Sequence, residues 1–257
     1  MTIVDTHCHA GTDKYEPIES LLFHMDEAGV DKAVLIQHQG QTDNSYHVEC
    51  LQRYPNRFAS AMIVEKTDNG EKIRHWAEQR VVGIRLHANS RAEAADSLVQ
   101  WRTAAELDLI VSAPSSPSAL LSEEFAEVIE TFPGLQIVIE HLAGIGSDAK
   151  PPYDEFERVL ALAKHPNLTI KLPGFGEFCK LPYPFAHIPP LARMVVAAFG
   201  AQRVMWGSDF PPVSSREGYN NSLHFPMEYF SDLSDEEREW IFGKTALSVW
   251  RLADSHA

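Results

Sequence analysis

Short β-branched runs alternate with longer stretches of helical periodicity along this chain, and there are eight such runs. The predicted strands are Thr2–Thr6, Ala33–Gln37, Phe58–Val64, Val82–Leu86, Leu109–Ala113, Gln136–Glu140, Leu168–Leu172 and Arg203–Trp206. The helical segments between them are Ile18–Ala28, Tyr46–Arg53, Gly70–Gln79, Ala92–Leu107, Ser118–Thr131, Tyr153–Lys164 and Pro189–Phe199. A last helix is predicted from Ser234, in a capping box with Glu237, to about Leu252. Strands that alternate with helices build parallel sheets, so the pattern predicts an α/β fold, a (β/α)8 TIM barrel.

The length of the chain fits one such barrel. It has 257 residues, of which 44% are hydrophobic, and this is enough material for a single large core. No linker, low-complexity segment or internal repeat interrupts the pattern, so residues 1–257 are predicted to form one domain. Cys8, Cys50 and Cys179 are few and widely spaced, which argues against a disulfide framework and against a cysteine zinc site.

The charge balance limits the partners of the protein. Twenty-two basic and 36 acidic residues give a formal charge of −14, which opposes binding to nucleic acid and to anionic membrane surfaces. No run approaches the roughly 20 apolar residues that span a bilayer, and the first residues do not resemble a signal peptide. We therefore expect a cytoplasmic protein. The acidic surface neither requires nor excludes a homo-oligomer.

His7 and His9 lie at the carboxyl end of the first predicted strand, just after Thr6. Alternation along a strand puts both imidazoles on one face, where they can form half of a divalent metal site. The missing partners would then lie at later strand ends, and the sequence offers His87, His141 and Asp209 there. The alternative is that the two histidines are only polar residues at a strand terminus.

Two connections are unusually long, and both follow strands. They are Pro173–Pro190 after the seventh strand and Ser208–Leu233 after the eighth. In a barrel, loops that follow strands overhang the catalytic mouth, so we expect these two to form the walls of a substrate site. Their many aromatic residues either contact a ligand or pack the loops onto the barrel.

Several motifs, taken together, resemble the amidohydrolase-related (amidohydrolase 2) branch of the amidohydrolase superfamily. They are Val4–His9, Gly83–Leu86, Ile139–Gly144, Met205–Pro211 and Ile241–Ala246, in the order of that family. Their order and form most resemble the lactonase group, which includes 2-pyrone-4,6-dicarboxylate lactonase and sugar-lactone hydrolases. The resemblance extends from residue 1 to about residue 252.

The resemblance implies roles for individual residues. His7 and His9 match the pair that binds a metal or polarises the substrate, and His141 matches the histidine that polarises the attacked carbonyl. Asp209 matches the aspartate that activates water, a step that a well-placed carboxylate can perform. The alternative for Asp209 is a turn residue before the two prolines that follow it.

The fifth strand departs from the metal-dependent members of the family. Those members place a histidine there, whereas Leu109–Pro114 contains none. A zinc site with three protein ligands and one water can still form from His7, His9 and Asp209, with His87 as a substitute ligand. Enzymes that work without a metal also occur in the lactonase group. The sequence therefore leaves two alternatives, a divalent metal such as zinc or manganese, or no cofactor.

Arg85 and His87 lie two apart in the fourth strand and should share a face that lines the barrel. With Lys171 in the seventh strand, they are predicted to bind substrate, since an arginine can hold a carboxylate through two parallel hydrogen bonds. The alternative for both cations is structural, because each can pair with a buried carboxylate such as Glu140. His87 is equally well explained as a hydrogen-bonded inward histidine.

These observations together predict a hydrolase that opens a small lactone with water. The substrate would be anionic or polyhydroxylated, with His141 polarising the carbonyl and Asp209 activating the water. Close relatives catalyse decarboxylation, hydration or lactone isomerisation with similar residues, so a metal-dependent decarboxylase or hydratase is the alternative enzyme. A third alternative is a barrel that has lost catalysis and only binds a ligand.

Overall fold

A computed structural model describes residues 1–253, and residues 254–257 of the predicted domain lie outside the described part. Eight strands form one parallel sheet in chain order, which confirms the predicted barrel. They are β1 Val4–Cys8, β2 Lys32–Ile36, β3 Phe58–Met62, β4 Gly83–Arg85, β5 Ile110–Ala113, β6 Ile137–Ile139, β7 Leu168–Pro173 and β8 Val204–Gly207.

The helices follow the strands in the expected alternation. They are α1 Ile18–Ala28, α2 Ser45–Arg53, α3 Glu71–Glu78, α4 Val99–Glu106, α5 Pro117–Leu120, α6 Glu123–Thr131, α7 Asp154–Leu160, α8 Leu191–Phe199, α9 Tyr219–Tyr229, α10 Asp235–Glu239 and α11 Thr245–Trp250. A π-helical turn, Trp240–Lys244, joins the last two. The capping box predicted at Ser234 is present at the start of α10.

Two predicted helices differ from the observed ones for local reasons. The segment predicted as Ala92–Leu107 becomes helical only at Val99, because the Asp96 carboxylate accepts a hydrogen bond from the amide of Leu98 and forms a turn there. The segment predicted as Ser118–Thr131 is two helices. Ser122 starts the second one by accepting a hydrogen bond from the amide of Phe125.

The barrel closes between its last and first strands. The amide of His9 donates to the carbonyl of Phe210 at 2.8 Å, and the amide of Asp209 donates to the carbonyl of His7 at the same distance. The Thr6 hydroxyl also donates to the carbonyl of Trp206 at 2.6 Å. This seam therefore fixes the ends of β1 and β8 against each other.

The core has two parts. The larger part includes residues of the strands and of the surrounding helices, and the smaller part joins residues of six strands to Ala246 and Trp250 of α11. Trp250 of α11 belongs to the smaller part and is buried against Gly83 of β4. Aliphatic packing there leaves the carboxyl ends of the strands to carry the polar side chains. Within residues 1–253, no helix combines the length and the apolar character needed to cross a bilayer.

Candidate active site

Four residues from distant parts of the chain meet at the carboxyl end of the barrel. The Nε2 atoms of His7 and His9 lie 3.8 Å and 3.5 Å from Oδ1 of Asp209. His141 follows β6, and its Nε2 atom lies 3.2 Å from Nε2 of His7. The side chains of His7, His9 and Asp209 are buried and that of His141 is mostly buried. The structure thus brings together the four residues to which the sequence assigned the chemistry.

The backbone is strained at two of these four residues. His141 has φ 48° and Asp209 has φ 60°, which is the left-handed region that non-glycine residues adopt at a cost of about 1–2 kcal/mol. The hydrogen bond from the Asp209 amide to β1 holds that residue in place. Strain of this kind is typical of sites where a side chain must be aimed at a reacting atom.

His9 is held in one orientation by its surroundings. Its Nδ1 atom lies 2.7 Å from the carbonyl oxygen of Ile36, so Nδ1 carries the proton and donates it. The ring of Tyr15 stacks on the imidazole with centroids 4.8 Å apart. The Nε2 lone pair of His9 therefore points toward Asp209 and is available to a proton or a metal ion.

A buried charged layer lies beneath the four residues. Glu140 accepts hydrogen bonds from Arg85 at 2.8 Å and 3.2 Å and from Ser112 at 2.6 Å. The Lys171 ammonium lies 4.0 Å from the same carboxylate and 3.1 Å from Nδ1 of His7. Burial raises the pKa of Glu140, but Arg85 and Lys171 outweigh it and hold the pKa well below its ordinary value. Burial also lowers the pKa of Lys171 to about 8, although Glu140 opposes this shift.

The predicted substrate-binding residues occupy different depths. Arg85 and His87 line an open hollow of about 310 Å³ beside His141, together with Ser115 and other residues of the rim. His87 is exposed there, with Nε2 3.2 Å from the side-chain nitrogen of Gln39. Lys171 is completely buried beneath His7. Both Arg85 and Lys171 adopt the pairing with Glu140 that was the structural alternative for them.

Sequence reasoning missed two residues that contact the site. Oε2 of Glu177 lies 3.0 Å from Nδ1 of His141, and the Arg216 guanidinium donates two hydrogen bonds to Oδ2 of Asp209 at 3.2 Å. The same guanidinium lies 3.4 Å from Oε1 of Glu177. Glu177 and Arg216 lie in the two long loops. The only sequence signal for them was the prediction that these loops form the walls of the substrate site.

These contacts set the protonation of the two central groups. Burial lowers the pKa of His141, but the charge of Glu177, whose Oε2 lies 3.0 Å away, outweighs it with help from Asp209, and the net pKa is raised. Burial raises the pKa of Asp209, but its contact with His9 and the charges of His141 and Arg216 leave its pKa below the ordinary value. Asp209 is therefore a carboxylate at neutral pH.

The arrangement has donors that suit a divalent cation. One ligand atom each from His7, His9 and Asp209 lie within 4.8 Å of one another. Two imidazoles and a carboxylate are a donor set that zinc accepts, with a fourth position left for water or substrate. Because Nδ1 of His9 donates its proton to a backbone carbonyl, the lone pair of Nε2 is available to coordinate a metal ion.

Comparisons with known proteins agree with this geometry. The family model for amidohydrolases (Amidohydro_2) matches residues 4–252. L-fucono-1,5-lactonase of Burkholderia ambifaria is 31% identical over 99% of this chain and 98% of its own length. A partial alignment with an uncharacterized protein of Sinorhizobium fredii covers 51% of this chain but only 43% of that protein.

Solved structures share the fold. A Pseudomonas putida protein assigned as a 2-pyrone-4,6-dicarboxylic acid hydrolase superposes with a TM-score of 0.81 at 20% identity, covering 99% of each chain. An amidohydrolase of Burkholderia multivorans with bound zinc superposes with a TM-score of 0.79 at 17% identity, covering 98% of this chain and all of the other. The family match and the full-length relative confirm the resemblance seen in the motifs. This chain belongs to the amidohydrolase family.

Proposed function

We propose that the protein hydrolyses the ester bond of a small lactone. The observation that carries the proposal is the meeting of one carboxylate, Asp209, with three imidazoles at the mouth of the barrel. The full-length similarity to L-fucono-1,5-lactonase supports the same class of reaction. Fold similarity alone would not support it, because one barrel fold hosts many reactions.

In the proposed reaction, Asp209 accepts a proton from a water molecule whose oxygen attacks the lactone carbonyl carbon. His141, whose pKa is raised by the charge of Glu177, donates a hydrogen bond to the carbonyl oxygen as that oxygen gains negative charge. The bond between the carbonyl carbon and the ring oxygen then breaks. Asp209 returns its proton to the ring oxygen, and the product is a hydroxy acid that releases one proton to solvent. We assign Lys171 to holding His7 rather than to substrate contact.

His7, His9 and Asp209 are the residues that would hold a divalent metal in this protein. A bound cation would polarise the carbonyl oxygen and lower the pKa of water. Elemental analysis of the purified protein, followed by chelation and assay, tests this assignment. Full occupancy with loss of activity on chelation supports a metal enzyme, and activity without metal supports the metal-free alternative.

The charges at the mouth favour a polyhydroxylated lactone over a dicarboxylated one. Arg85 already holds Glu140 through two hydrogen bonds, and Arg216 holds Asp209 through two more. Of the other polar residues beside the hollow, His87 and Ser115 are neutral hydrogen-bonding groups, and the charge of His141 is already paired with Glu177. Sugar hydroxyls suit such groups, whereas an anion would have to compete with carboxylates that are already paired.

A cytoplasmic location stays a prediction that cell fractionation would test.

The test of the proposal is an assay of acid release with sugar 1,5-lactones and with a carboxylated lactone. We expect turnover of a sugar lactone, and we expect Asp209→Asn to lower kcat by about 10²–10⁴-fold with an unchanged melting temperature. Asp232→Asn is the matched control, because Asp232 is an exposed partner of Arg193. Full activity of Asp209→Asn would contradict the proposal, and so would turnover of neither class of lactone.

A further inference from the structure

An ion pair joins the two long loops across the mouth of the barrel. Glu177 belongs to the loop after β7, Arg216 belongs to the loop after β8, and their side chains lie 3.4 Å apart. Each also contacts one of the central groups, since Glu177 lies 3.0 Å from His141 and Arg216 lies 3.2 Å from Asp209. We call Glu177 and Arg216 the clamp. It joins His141 to Asp209 by a continuous chain of charged contacts.

The position of Arg216 is fixed by the residue that follows it. The side chain of Glu217 is 1% exposed, and its carboxylate accepts a hydrogen bond from the amide of Gly176 at 3.0 Å. A Cβ atom at Gly174 or Gly176 would overlap that carboxylate, so the two glycines form a cradle for it. The buried carboxylate therefore anchors the loop after β8 on the loop after β7, directly beside the clamp.

Carboxylates surround the Arg216 guanidinium, which disfavours a substrate anion there. Two of its nitrogens donate to Asp209, one of these also faces Glu177, and Nε lies 3.8 Å from Glu217. Three carboxylates thus surround one cation. A fourth anion at this place would be repelled, so the arrangement is suited to holding side chains and not to binding a charged substrate.

We infer that Glu177 and Arg216 are positioning residues that fix the general base Asp209 relative to His141. This inference rests on the proposed function, in which those two groups act on opposite sides of the attacked carbonyl. The clamp acts through these groups and does not touch the reacting atoms. A displacement of about 1 Å in such a pair can cost on the order of 10²-fold in rate, so a loss in kcat is the expected signature.

The test compares Glu177→Gln, Arg216→Lys and the double variant in the full-length protein. We expect each single variant to lower kcat by about 10–100-fold while KM changes less than about threefold, because substrate contacts are untouched. The double variant should lose much less than the product of the two single losses, since both break one chain of contacts. Arg193→Lys is the matched control, because Arg193 makes an equally close two-nitrogen contact with exposed Asp232.

A rescue experiment separates positioning from a fold defect. In Arg216→Ala, guanidinium at millimolar concentration should restore part of kcat, whereas sodium chloride at the same ionic strength should not. Unchanged kcat in the single variants would overturn the inference, as would a rise in KM with kcat preserved, which would make Arg216 a substrate contact. If Asp209→Asn itself keeps full activity, the proposed function fails rather than the clamp.

Discussion

Glu140 is a carboxylate that lies between two buried cations, Arg85 and Lys171. Glu140→Gln would leave both cations without their counter-charge in the interior, which typically costs about 3–5 kcal/mol. We therefore expect the free energy of unfolding, measured by urea titration at pH 7, to fall by that amount. Glu65→Gln is the matched control, because Glu65 and its partner Lys72 are exposed and the loss there should be below about 1 kcal/mol.

The same substitution predicts a pH dependence. The net pKa of Glu140 is lower in the folded protein than its ordinary value of 4.5, so its stabilising contribution is complete above that pH. It is lost as the pH falls below 4.5 toward the folded pKa. The difference in unfolding free energy between the wild type and Glu140→Gln should thus be largest near pH 6 and should shrink below pH 4.5. It should also shrink above about pH 7, because Lys171, with a pKa of about 8, loses its charge there. Equal stability at pH 7 would show that Arg85 and Lys171 have other counter-charges.

The sequence predicts some of the site residues and not others for a physical reason. His7, His9, His141 and Asp209 stand next to strands, and parallel strands in a barrel deliver their carboxyl ends to one place. Glu177 and Arg216 were not predicted, because they lie in long loops whose sequences have no hydrophobic period that would indicate their conformation. Such loops are fixed by tertiary contacts, such as the Glu217 carboxylate on the Gly176 amide, that no local pattern encodes.

At the scale of elements, Gly207 controls the distance between β8 and β1. A Cβ atom there would lie 2.8 Å from Cβ and 2.9 Å from N of His7. Neither atom is the end of a flexible side chain, so Gly207→Ala should push the strands apart. We expect a loss of about 1–3 kcal/mol in unfolding free energy and a lower kcat, because His7 moves relative to Asp209.

Gly134→Ala is the matched control for this seam, since a Cβ atom at Gly134 meets nothing within 4 Å. Its unfolding free energy should stay within about 1 kcal/mol of the wild type, and its kcat should not change. If Gly207→Ala matched the control in both measurements, the two strands would not be packed as tightly as the contact distances indicate.

Helices and strands were predictable where the sequence has a regular apolar period, and not where tertiary contacts determine the local structure. The helical segments between the eight strands follow from apolar spacing, although one of the seven predicted segments is two helices, α5 and α6. The capping box at Ser234 follows from four residues of sequence. Helix α9 lies inside the connection that was predicted only as a long loop. It contains Pro226 and has no side-chain cap, so local signals for a helix are weak there. Packing of its buried residues, such as Leu223, favours the helix instead.

For the whole molecule, the predicted metal ligands connect the first and last strands of the barrel. His7 and His9 lie at the end of β1, and Asp209 lies just after β8. A cation bound by all three would therefore link the two strands at the point where the barrel closes. A ligand that binds only the folded state stabilises it by about 2.7 kcal/mol at a hundredfold excess over Kd. For a domain of 257 residues this corresponds to a rise of about 5–10 °C in melting temperature.

We expect added zinc to raise the melting temperature of the wild type, and to raise that of Asp209→Asn far less because one ligand is lost. Asp13→Asn, which changes an exposed carboxylate on the neighbouring loop, should respond like the wild type. A melting temperature that zinc and manganese do not raise, and that a chelator does not lower, would assign these three residues to metal-free catalysis.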